Sequence, residues 1–260
     1  MELSQTGILA DVPRTGRYLR FSLTQPATAG DALRCPVPSV DGRSVVVRVG
    51  PALATALGAQ VPKLREFPAL AGHGIAVPVT PTALYCWLRY EGDADAGDLV
   101  LLTRQLEKAL APTLHLDRVL DAFRHGRGPS GHGRDLTGYE DGTETPAEQD
   151  NMVGRRRSDN EELDNAPASA HAKRTTQESF EPEAFVLRRS LPWAVGHKAG
   201  LMFVAYGCSF DAFEVQLRRM VGLDDGITDA LFRIFKPVSG ACFWCPPLRA
   251  RRLDLRALAL

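Results

Sequence analysis

Apolar and polar positions along the chain follow two periods that mark out its first half. Arg17 to Thr24 (RYLRFSLT) alternates, Arg43 to Gly50 (RSVVVRVG) runs β-branched, and Leu84 to Tyr90 (LYCWLRY) does both; each ends in turn residues, which predicts strands. From Asp98 to Leu110 (DLVLLTRQLEKAL) the apolar residues fall three and four apart behind an Asp, and Pro112 follows, which predicts an amphipathic helix. Val119 to Phe123, bracketed by His115 and His125, then returns as a strand. The order is β, β, β, α, β. A helix after the first strand is interrupted by Pro26, Gly30, Pro36 and Pro38.

The second half is patterned differently. From Thr143 to Glu183 the larger apolar side chains are few, Met152, Val153, Leu163 and Phe180 breaking a polar tract that includes Arg155-Arg156-Arg157 and Glu161-Glu162. A tract of that length reads as a binding segment or as disorder. Phe185 to Leu187 and Gly200 to Tyr206 (GLMFVAY) then predict strands, Asp211 to Val221 and Thr228 to Phe235 predict helices, and Ala241 to Cys245 (ACFWC) a last strand before Pro246-Pro247. The pattern predicts an α+β protein in two modules, residues 1–127 and 128–260, with antiparallel sheets and helices outside.

Composition narrows the function classes. With 260 residues, 44% of them hydrophobic, the chain can bury a sizeable core. Lys+Arg 31 balance Asp+Glu 31, so no global field attracts nucleic acid or an anionic membrane, and neither is expected as a partner. No leader-like or membrane-spanning run is read, and five cysteines, an odd number without a framework spacing, are expected to be reduced; together these predict a cytoplasmic protein.

The candidate chemistry lies in the second half. Gly138-Tyr139-Glu140-Asp141-Gly142 offers a carboxylate on a turn, His171 an imidazole in a polar tract, and Arg188-Arg189 a guanidinium ahead of Ser190-Leu191-Pro192. Taken singly each has an ordinary account: a turn, a solvated ring, surface charge, and for Asp229 a helix cap. Cys242-Phe243-Trp244-Cys245 lacks the second ligand pair of a zinc knuckle, and His197 reads as a loop residue. Trp193, Tyr206 and Trp244 are expected in the core.

As a set, these segments resemble the dye-decolorizing (Dyp-type) haem peroxidase family. The resemblance rests on Gly138 to Glu144 with Pro146, Met152-Val153-Gly154-Arg155, Ala170-His171, Arg188 to Pro192, Gly200 to Tyr206 and Phe235-Lys236-Pro237-Val238-Ser239-Gly240, and it reaches forward to Gln5 to Leu9 and Phe67-Pro68. It implies two ferredoxin-like modules, the C-terminal one holding haem b. It implies His171 as the iron ligand, Asp229 behind it, and Asp141 and Arg188 as the groups that activate peroxide, with Ser190 facing the same pocket. A carboxylate behind a ligating imidazole fixes its tautomer and makes it more electron-rich, while a carboxylate and a guanidinium together can move a proton and stabilise charge on a departing oxygen. The implied partners are hydrogen peroxide and an aromatic or dye-like electron donor, in a homo-oligomer.

The sequence departs from that pattern in two places. Thr145 stands where relatives usually carry Asn, and Asp141 and His171 lie close together in the chain, without the apolar strand that relatives place between them. A haem-binding carrier, sensor or degraded relative without turnover is therefore a second reading of the same residues, and an α+β module without a cofactor a third.

Overall fold

Alternating side chains become strands and a three-to-four spacing becomes a helix wherever one face can be buried, and the first half of the chain shows this directly. The computed structural model describes residues 4–34, 40–90, 95–126, 134, 136, 146–250 and 252–260. Its elements in chain order are α1 (Thr6–Leu9), β1 (Thr15–Leu23), α2 (Ala29–Arg34), β2 (Val45–Val49), α3 (Pro51–Ala56), β3 (Leu70–Gly72), β4 (Ile75–Val77), β5 (Leu84–Tyr90), α4 (Ala96–Leu110) and β6 (Leu114–Phe123). They continue with α5 (Pro146–Val153), α6 (His171–Arg174), β7 (Leu187–Arg188), β8 (Leu191–Val195), β9 (Lys198–Met202), β10 (Ala205–Tyr206), α7 (Asp211–Met220), β11 (Leu248–Arg249) and β12 (Arg252–Leu253). No helix among the described residues is long and apolar enough to cross a membrane.

The chain divides into two compact units, one of Met1–Phe67, Thr80–Phe123 and Ala241–Leu260, the other of Pro68–Val79 and Arg124–Gly240. In the first, β2, β5, β1 and β6 lie side by side in that order, every neighbour antiparallel, with Val47 opposite Cys86 and Tyr18 opposite both Trp87 and Leu120. Two interleaved βαβ passes, β1 to β2 and β5 to β6, give this order, which is the ferredoxin-like topology. Leu19, Phe21, Val45, Val47, Leu84, Cys86 and Leu88 share one face of the sheet, and Leu99, Leu102, Leu106 and Leu110 of α4 close over it. Burying each such side chain contributes about 1.5–3 kcal/mol, so this face anchors the unit. On the other face the Arg48 guanidinium lies within 6 Å of the Tyr18, Tyr85 and Trp87 rings, a charge buried by aromatic faces.

Helix α4 begins earlier than its apolar pattern. Asp95 is the cap, accepting from the Gly97 and Asp98 backbone N–H groups, and the Asp98 carboxylate accepts from the Asp95 N–H, which completes a capping box. The apolar period starts only at Leu99, so Asp98 reads as the start although it is the third helical residue.

The last 20 residues, Ala241–Leu260, belong to the first unit, whereas the sequence pattern reads as a single division at 127/128. Trp244 exchanges backbone hydrogen bonds with Val49, Leu258 is fully buried in the β1–β5 core, and the Gln5 amide ties Val47 to the carbonyl of Pro246. Hydrophobic periodicity reports the type of an element, not the core it joins. The predicted strand at 241–245 is reduced to that one bridge at Trp244.

The second unit is α+β with short antiparallel pairs: β3 with β4, β7 with β10, and β8 with β9. The predicted strand over Gly200 to Tyr206 divides at Phe203 and Val204, its first part pairing with β8 and its last with β7. The predicted helix over 228–235 is a 3-10 turn at Ala230–Arg233, capped by the Asp229 carboxylate on the Leu231 N–H and followed by Pro237. Among the described residues no strand lies between Pro146 and His171; α5 and a bridge between Arg155 and Glu162 occupy that stretch. The polar tract is thus ordered where it is described, through Arg155 to Glu162, Arg156 to Asp159 and Glu161, and the Arg157 N–H to Asp150.

Candidate functional site

Helix α6 is a single turn, too short to persist alone, and its surroundings hold it in place. Gly154, just beyond α5, has φ 82°, and a Cβ there would lie 3.1 Å from that of Ala170 and 3.2 Å from that of Ala172. Only glycine lets the two segments approach this closely in that conformation. The Ala170 N–H donates to the Pro167 carbonyl and the Ala230 N–H to the Ser169 carbonyl, which brings residue 229 beside residue 171.

His171 Nδ1 and Asp229 Oδ2 are then 2.8 Å apart, the carboxylate fully buried and the ring 16% exposed. The other carboxylate oxygen accepts from the Leu231 N–H at 2.8 Å, and the Asp229 N–H donates to the Met220 carbonyl. In the neutral ring this pairing places the proton on Nδ1 and leaves a lone pair on Nε2, the form in which imidazole ligates a metal. The capping account of Asp229 and its pairing with His171 both hold, one for each oxygen.

His171 and Arg188 line one cavity of about 390 Å³, together with Val153, Arg155, Glu162 and Gln177. Arg188 is exposed on β7, opposite Ala205. Ser190 is absent from the lining; its Oγ accepts from the Val204 N–H at 3.4 Å. Asp141 lies outside the described residues. Four of the five predicted site residues can thus be located, and two of them, His171 and Arg188, share the cavity, with Asp229 behind the ring. His197 sits exposed in the turn between β8 and β9 and does not line it.

Among the described residues the cysteines form no site. Cys86, Cys208, Cys242 and Cys245 are free thiols, and among the described residues no three His, Cys, Asp or Glu groups gather as a metal cluster. Burial pushes the Cys86 thiol up to about 12 and the Cys245 thiol up to about 11, against the lowering effect of Arg48, so neither is a ready thiolate. Sequence reasoning missed one pair, Arg174 with Asp225. Its only signal is that Arg174 stands three residues after His171, one turn along a helix.

Residues 145–250 match the family model described as Dyp-type peroxidase, C-terminal. The chain is similar to a solved dye-decolorizing protein from V. cholerae, 23% identical over 100% of this chain and 99% of that one, with a TM-score of 0.78. It is also similar to a Shewanella oneidensis putative Dyp-type peroxidase, 22% identical over 99% and 98% with a TM-score of 0.80. A Rhodococcus jostii DypB variant in complex with haem matches at 20% identity over 91% and 94%, with a TM-score of 0.75. The family model thus covers the C-terminal part of the chain, residues 145–250, and the fold of these solved structures is shared along nearly its whole length.

Proposed function

We propose that this protein is a haem peroxidase that reduces hydrogen peroxide at the expense of an aromatic or dye-like electron donor. The observation that carries the reading is the His171–Asp229 pair on the wall of a cavity that Arg188 also lines. The residues fit an iron porphyrin: the imidazole has its tautomer fixed by a buried carboxylate, and the cavity beside it carries a guanidinium. Haem b, when bound, supplies the redox centre through which peroxide is reduced to water and the donor oxidised.

The protein's own groups have three tasks. His171 would hold the iron through Nε2, while Asp229 keeps the Nδ1 proton engaged and the ring oriented. Arg188, always cationic, would stabilise negative charge on the oxygen that leaves peroxide. Asp141 would take the first peroxide proton and return it to the leaving oxygen. Ser190 is better read as a support for the β7–β10 strand ends than as a pocket group, since its hydroxyl is occupied by Val204. The same reading includes a cytoplasmic location, which suits the free thiols, and self-association.

A second reading, haem binding without turnover, is favoured by one observation: no strand lies between Pro146 and His171 among the described residues. A haemin titration followed by peroxide assays separates the two. Haem binding lost in His171→Ala, with Arg188→Leu keeping its haem and losing turnover by about two orders of magnitude, is the expected result. Wild-type protein that takes up haemin but turns over no dye leaves the second reading, and a wild type that takes up none removes both.

A further inference from the structure

His171 is not the only side chain by which α6 reaches the segment containing Asp229. One turn further on, Arg174 is 5% exposed and its guanidinium grips Asp225 with both arms, Nη1 to Oδ2 at 2.5 Å and Nη2 to Oδ1 at 2.8 Å. Nη2 also donates to the Arg219 carbonyl at the end of α7. Residues i and i+3 lie on one face of a helix, so His171 and Arg174 present two rungs to one short segment, residues 225 and 229 being its other ends.

The backbone of that segment is tied down independently. Gly226 N–H bonds to the Gly222 carbonyl, Asp229 N–H to that of Met220, and Ala230 N–H to that of Ser169. Those bonds set the height of Asp229 beside the helix. Backbone bonds resist rotation of α6 about its own axis only weakly, because it is a single turn, and the close approach of Gly154 to Ala172 braces one side of it. Two side-chain rungs on one face fix the rotation, and the Arg174 rung is a bidentate, charge-assisted one, the strongest of its kind.

We propose that Arg174, through Asp225, is a positioning residue for the His171–Asp229 pair. It holds α6 in the rotation at which Nδ1 meets the carboxylate, so its loss frees the ring to turn and to change tautomer. The consequence for iron affinity rests on the haem reading above, but the positioning itself does not require haem and is measurable in its absence.

The test uses the full chain with 15N-labelled histidine and no haem. In the wild type the Nδ1–H of His171 is expected to give a downfield resonance protected from exchange, identified by its loss in His171→Ala. In Arg174→Met that resonance is expected to broaden or vanish while the circular dichroism stays that of the wild type, and Arg174→Lys, which keeps the charge without the fork, restores it in part. Haemin affinity is expected to fall about tenfold in Arg174→Met, whereas in an Asp229→Asn background the same substitution is expected to lower it hardly further. Should Arg174→Met fail to fold, Asp225→Asn leaves the guanidinium and its bond to Arg219 in place and is expected to lose the resonance in the same way. A folded Arg174→Met or Asp225→Asn with an unaltered Nδ1–H resonance, or losses of affinity that simply add in the double variant, would overturn the proposal. A wild type that shows the resonance and binds no haemin would sink the peroxidase reading and leave the positioning claim standing.

Discussion

The two units are held by different physics. In the first, β1 and β6 run for 9 and 10 residues, and the sheet closes a continuous apolar face with α4. In the second, no strand among the described residues exceeds 5 residues, and α6 and its neighbours are fixed by charged and polar pins such as Arg174 to Asp225 and His171 to Asp229. A regular module gains stability from area and can tolerate almost any surface. A unit that brings His171 and Arg188 from separate segments to one cavity, with Asp229 behind the ring, leaves less of its chain for regular pairing, and directional bonds take over.

The contrast can be broken most decisively by truncating one aromatic residue in each unit. Phe21 is fully buried in the sheet face, and Phe21→Ala is expected to cost about 3–5 kcal/mol, lost transfer energy and cavity together. Phe203, 42% exposed and stacked on Phe213, is expected to cost about 1 kcal/mol on the same change. Urea midpoints report both. Equal losses would mean that the second unit depends on burial as heavily as the first.

Acid sharpens the comparison at the next level. The Arg174 guanidinium bonded to Asp225 holds that carboxyl well below its usual range, at about 2. A carboxyl whose folded value is depressed contributes stability above its unfolded value, about 3.9, and that contribution is lost as the pH falls toward 2. Asp225→Asn is therefore expected to lower stability by about 2 kcal/mol at pH 6, less than for a fully buried pair because the Asp225 side chain is 42% exposed. Near pH 2 the variant and the wild type should converge. Thermal melts at the two pH values decide it, and a gap that persists in acid would assign the effect to packing rather than to the ion pair.

This difference in physics also explains what could be read from the sequence. β5 was legible to the residue, because LYCWLRY both alternates and ends at turn signals, and α4 was legible from its apolar stripe. In the second half the period is interrupted around the candidate site. GLMFVAY looks like one strand but serves two partners, and residues 228–235 have helical spacing although Asp229 spends its carboxylate on a cap and a histidine. His171 and Arg188 could be singled out only as members of an ordered set of motifs, since neither has a local signature. Arg174 and Asp225 escaped altogether, because a bidentate pair 51 positions apart leaves no periodic trace.

The smallest effect tests whether local signals matter even in the regular unit. Asp95 accepts from two backbone N–H groups at the start of α4, and Asp98 returns the bond, so Asp95→Ala removes a cap and half of a reciprocal pair. Caps of this kind contribute about 1 kcal/mol, a loss readable as a shift in the urea midpoint at unchanged slope. Asp95→Asn, which still offers an oxygen to the same donors, should recover most of it. If Asp95→Ala were silent, the start of α4 would be fixed by Leu99 and Leu102 against the sheet alone, and the first unit would owe its order to burial even at its helix ends.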